Sequence, residues 1–86
     1  MPQVCTFCGI TIYIYYDDHP DPHFHAFYGG REVTVAITDL RAMDGAITPR
    51  AMGLVVEWAA KNVGALMEDW ALAEQHLPLW KIAPLK

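Results

Sequence analysis

The residues able to do chemistry lie mostly in one stretch, His19-Pro20-Asp21-Pro22-His23-Phe24-His25-Ala26-Phe27-Tyr28-Gly29-Gly30, which holds three of the four histidines. Imidazole changes charge near neutral pH and is the commonest transition-metal ligand. Three functional readings stay open. In the first, His23 and His25, with His19, work as general acid and base beside Tyr15 and Arg31. Metal-independent ribonucleases need little more than a base, an acid and a cation. In the second, His23 and His25 share a metal ion, with His19 or Glu32 completing a site of three ligands plus water. In the third, the stretch is a recognition surface. Against all three stands a plain structural role, a stiff and well-bonded corner between loop and strand. The assignment taken forward is His23, His25 and His19 as acid–base residues, with Tyr15, Arg31, Glu32 and Trp58 as binding residues. It includes neither a metal nor a cofactor.

The elements that must position these residues are readable from periodicity. Gly9 to Tyr16 alternates Ile10, Ile12 and Ile14 with Thr11, Tyr13 and Tyr15, the pattern of a half-buried strand. The Ile row should face the core. Asp17 to Pro22 reads as a loop, stiffened because Pro20 and Pro22 fix their own backbone and restrict the residue before each. His23 to Tyr28 and Arg31 to Ile37 read as strands joined by a Gly29-Gly30 turn. A two-residue turn fixes the register, which sets His25 opposite Thr34 and Phe24 opposite Val35. His23, His25, Phe27, Glu32 and Thr34 then share one face, and Phe24, Ala26, Val33, Val35 and Ile37 the other. Thr38 to Ile47 reads as a connection with a short extended piece, Asp44-Gly45 marking a turn.

Thr48 is a good N-cap and Pro49 suits the first helical position. Met52, Val55, Val56, Ala59, Val63, Leu66, Met67 and Trp70 then recur at helical spacing opposite a polar stripe. The unbroken phase predicts one long helix, kinked if anywhere at Asn62-Val63-Gly64, ending before Pro78. It would run about 40 Å, long for so small a sheet. Trp58 falls off this apolar stripe and is therefore read as an interface anchor. Leu79 to Leu85 reads as an edge strand or apolar tail. The expected fold is a single α+β domain over 1–86: a small antiparallel sheet of about three strands packed on a long C-terminal helix.

Composition bounds the function classes. One domain is expected of 86 residues. A net charge of −4 with only six Lys and Arg argues against nucleic-acid binding by charge alone. No apolar run approaches the roughly 20 residues that cross a bilayer, so no membrane partner is expected. No signal-peptide pattern is seen, and a cytoplasmic location is expected. There Cys5 and Cys8 would stay reduced. Cys5-x-x-Cys8 looks like half a zinc knuckle, but a lone pair is more often small apolar packing.

The Asp18-His19-Pro20-x-Pro22-His23-Phe24-His25-Ala26-x-Tyr28-Gly29 stretch resembles a small bacterial family catalogued as domain of unknown function 4160. Ile47-Thr48-Pro49-Arg50, Glu57-Trp58-Ala59, Trp70 and Ile82-Ala83-Pro84-Leu85 are also similar to that family. Asp21 departs from its usual Pro-Pro pair, and the Cys5/Cys8 pair is not typical of it. The resemblance implies a context: one half of a toxin–antitoxin-like pair, partnered by the small protein of the neighbouring gene. A second copy of the chain is the other partner that its apolar C-terminal half could take, and RNA is the substrate class that accompanies a ribonuclease-like site.

Overall fold

The structure, a computed structural model, describes residues 3–16 and 21–85. Five antiparallel strands follow one another in a meander, in the order β1 (Gln3–Phe7), β2 (Ile10–Tyr13), β3 (His23–Tyr28), β4 (Arg31–Ala36) and β5 (Ala42–Gly45). Two helices follow, α1 (Pro49–Ala60) and α2 (Val63–Glu74). The α+β class and the antiparallel sheet agree with the sequence. The sheet has five strands rather than three, and the expected long helix is two short ones.

The β3–β4 hairpin has the predicted register, His25 opposite Thr34 and Phe24 opposite Val35. Gly29 and Gly30 both take positive φ, 58° and 77°, as a type I′ turn requires. The Ile10, Ile12 and Ile14 row is fully buried, together with Phe24, Ala26, Val33, Val35 and Ile37. β1 escapes sequence detection because its pairing with β2 shifts between Gln3 and Cys5. That irregularity buries Val4 and Cys5 side by side and breaks the period of two. Cys8-Gly9, the end of the supposed metal motif, lies in the tight connection between β1 and β2, with φ of 51° and 76°. Cys5 is buried, Cys8 is exposed, and both are free.

Thr48 caps α1 as expected, its hydroxyl accepting from the Ala51 N–H at 3.2 Å, with Pro49 in the first turn. The helix stops because Asn62 turns its side chain back on it. Its Nδ2 donates to the Trp58 carbonyl at 2.7 Å, the acceptor that its own backbone N–H would use in a continuous helix. The Asn62 N–H bonds instead to the Ala59 carbonyl at 2.9 Å, and φ moves to −132°. Val63 and Met67, expected on the buried stripe, are 36% and 37% exposed.

The buried face of α1 is Ala51, Val55, Trp58 and Ala59. Trp58 therefore belongs to the core and does not serve as an interface anchor. It is 1% exposed and packs near Phe7 and Phe24, with ring centroids at 5.4 and 6.0 Å. The C-terminal segment lies along β1. The Ile82 N–H donates to the Val4 carbonyl at 2.8 Å, and the Trp58 indole N–H to the Ala83 carbonyl at 2.8 Å. The chain itself thus occupies the surface that an interface role for Trp58 would need. No helix among the described residues is long and apolar enough to cross a membrane.

Candidate functional site

The strand register places His25 and Tyr13 directly opposite one another across β3 and β2, and Thr34 opposite His25 on β4. Residues paired in this way point to the same side of a sheet. The face away from the Ile/Val core thus brings Tyr13, Tyr15, His23, His25, Glu32 and Thr34 together. Tyr15 lies against His25, ring centroids 4.5 Å apart, and His23 meets His25 edge-on at 5.0 Å and 74°.

His25 is tied to β4 through Nδ1. Its Nδ1 lies 2.8 Å from Glu32 Oε2 and 3.3 Å from Thr34 Oγ1. Toward an ionised carboxylate, which can only accept, Nδ1 is the donor of this contact. This is the carboxylate–imidazole arrangement that fixes tautomer and orientation in acid–base sites. The side chains differ in exposure, 12% for His25 and 42% for Glu32, so the dyad is reached from its carboxylate side.

His23 is fixed by the same logic in a drier place. Its Nδ1 lies 2.5 Å from the Asp21 carbonyl oxygen, which again requires an Nδ1–H donor. The Pro22 carbonyl accepts from the Ile37 N–H at 3.0 Å, extending the β3–β4 ladder to the residue before His23. Trp70 of α2 covers the ring at a centroid distance of 4.9 Å, and His23 is fully buried.

The other expected residues fall elsewhere. Arg31 sits beside the Gly29-Gly30 turn opposite Tyr28, on the side of β4 that alternates away from Glu32. Trp58 is in the core, as described. His19, with Asp17 and Asp18, lies outside the described residues. Among the described residues, no three His, Cys, Asp or Glu side chains group as a metal site. His76 stacks near Tyr16, with ring centroids at 5.8 Å, and Tyr16 donates its hydroxyl to the Leu77 carbonyl at 3.2 Å.

Sequence reasoning misses three contributors. Thr34 falls on the right face by register, which sets it opposite His25, yet its bond to that ring is not evident from the pattern. Trp70 reads only as core, yet it is also the wall against His23. Asp69 is fully buried next to it on α2. Its Oδ1 accepts from the Trp80 N–H at 2.8 Å, while Oδ2 has no partner among the described residues. Burial pushes this carboxyl above the usual carboxylate range, partly offset by the Trp80 hydrogen bond. Its sequence signal is a polar residue three positions after Leu66 and four before Ala73, both buried.

A family model described as a domain of unknown function (DUF4160) matches residues 9–71. That span includes β2, β3, β4, β5, α1 and the part of α2 that carries Asp69 and Trp70. No curated protein and no solved structure matches the chain.

Proposed function

We infer the function from this site, because the chain belongs to the DUF4160 family, a family defined only as a domain of unknown function. We propose that the protein is one component of a toxin–antitoxin-like pair whose working residues are His25, His23 and Glu32, with Tyr15 beside them. The reaction class is general acid–base catalysis, with RNA as the substrate class. The observation that supports this reading is the 2.8 Å contact between His25 Nδ1 and Glu32, a carboxylate–imidazole pair of the kind that orients acid–base rings. His23, fixed through Asp21 and edge-on to His25, is the second ionisable ring at the site. His19 is the third acid–base candidate on sequence grounds. The net charge of −4 opposes the approach of a polyanion.

The competing reading is a non-catalytic binding module that meets the neighbouring gene's product, or a second copy, through the C-terminal half. Its supporting observation is Trp80, 65% exposed beside Leu77 at 43%. Induced expression in bacteria separates the two. Growth arrest and RNA loss with the wild type, both abolished by His25→Ala, support the acid–base reading. Equal growth and intact RNA in wild type, His25→Ala and His23→Ala/His25→Ala strains would sink it.

A further inference from the structure

The face of the sheet turned away from the core has a chemical character that proton transfer does not use. Tyr13 and Phe27 are both half-buried and meet edge to face, with centroids 5.2 Å apart at 90°. Neither belongs to the hydrophobic core cluster or packs against it. Glu32 is opposite Phe27, and Asp44 is opposite Thr34, so both carboxylates fall on this same face. Both residues are exposed.

Among the described residues, the Lys and Arg side chains are placed elsewhere. Arg31 alternates to the other side of β4. Arg41 lies outside the strands, 3.7 Å from Asp39. Arg50 and Lys61 belong to the α1 region, whose buried residues pack on the opposite face. Lys81 donates to the Gln3 carbonyl at 2.5 Å on the edge strand. The result is an aromatic π surface with carboxylates on its β4–β5 side, on a chain of net charge −4.

We propose that this face docks a basic, Arg- or Lys-rich extended segment of a partner protein, running from Tyr13 and Phe27 on β2 and β3 toward Glu32 and Asp44 on β4 and β5. Aromatic faces attract cations through their quadrupole, and carboxylates on the β4–β5 side add complementary charge. The same carboxylates weaken the approach of phosphates, so a basic segment is the tighter occupant of this face. From Tyr13 on β2 to Asp44 on β5 there are three interstrand spacings, about 14 Å. That is wider than one side chain can cover, so the ligand is a run of residues. Such a segment would lie across His25 and close the site. The docking goes beyond the acid–base reading and stands without it.

The test uses the full chain, isotopically labelled, titrated by NMR with a synthetic Arg-Ser repeat peptide. A Glu-Ser repeat peptide and a single-stranded oligouridine run in parallel. The expected result is salt-sensitive binding of the Arg-Ser peptide, with shifts confined to residues 11–13, 25–27, 32–34 and 44. Tyr13→Ala/Phe27→Ala should weaken it roughly tenfold, the size of one well-desolvated cation–π contact. Glu32→Gln/Asp44→Asn should weaken it similarly and serves as the test if the aromatic variant fails to fold. Glu57→Gln/Glu74→Gln, on the helices, should leave the affinity unchanged. Four outcomes would each overturn the proposal: no binding of the Arg-Ser peptide, shifts spread over the helices, an equal loss in the helix variant, or oligouridine binding the face more tightly than the Arg-Ser peptide.

Discussion

Replacing Gly45 with alanine should damage the fold far more than the same change at Gly30, and the difference can be worked out from the backbone. Both glycines have positive φ, 73° and 77°. Alanine in that region costs about 1 kcal/mol relative to glycine. At Gly30 nothing lies within 4 Å of an added Cβ, so that is the whole penalty. At Gly45 the Cβ would stand 2.3 Å from the Glu32 carbonyl oxygen, which is backbone and cannot swing away. Relief requires β4 and β5 to separate where Val33 meets Gly45 and Thr34 meets Asp44. Losing about two backbone hydrogen bonds there adds about 2 kcal/mol. At roughly 4–8 °C per kcal/mol for a domain this size, Gly45→Ala should lower Tm by about 12–24 °C and Gly30→Ala by about 4–8 °C. Calorimetry of the two variants side by side is the assay. Equal losses would refute the close approach as the reason for glycine at position 45. The affected carbonyl belongs to Glu32, so Gly45→Ala should also disturb the His25–Glu32 contact, visible as shifts of the imidazole signals.

Asp69→Asn should change how stability depends on pH. Burial raises the folded carboxyl above its unfolded value, so the folded state holds this proton more tightly. The contribution is fully present below the unfolded carboxylate range, about pH 3.9, and is lost as pH rises through the raised folded value. Urea midpoints should therefore move in favour of the Asp69→Asn variant relative to the wild type as pH increases over that window, and parallel curves would contradict this. His76→Gly should stabilise the protein by about 0.5–1 kcal/mol, because His76 has φ 58° just past α2. There the Leu77 N–H closes the helix on the Leu72 carbonyl at 2.9 Å. A drop in Tm would show that the ring contact with Tyr16 outweighs the backbone strain.

What the sequence reveals follows from local physics. The Gly29-Gly30 turn has only two residues, so it dictates the β3–β4 register and with it the shared face of His23, His25, Glu32 and Thr34. The Ile row and the Thr48-Pro49 helix start are legible for equally local reasons. What stays hidden depends on departures from regular spacing or on distant contacts. The irregular pairing at Gln3–Cys5 disguises β1, and a similar shift between Thr34 and Val35 disguises β5, where Asp44-Gly45 closes a strand rather than forming a turn. The helix break rests on a single side-chain bond from Asn62, which an intact apolar phase cannot register. Trp58 looks superficial only when the stripe is centred on Met52 and Val56. Its true partners, Phe7 and the Ala83 carbonyl, come from the two ends of the chain.

The proposed site depends on two imidazoles that both donate through Nδ1. Long-range ¹H–¹⁵N NMR of the labelled protein, at a pH where the rings are neutral, reads the tautomers directly. Both His23 and His25 should show the Nδ1–H tautomer, with His25 alone losing that preference in Glu32→Ala. An Nε2–H tautomer at His25 in the wild type, or one unaffected by removing Glu32, would contradict Nδ1 donation to Glu32.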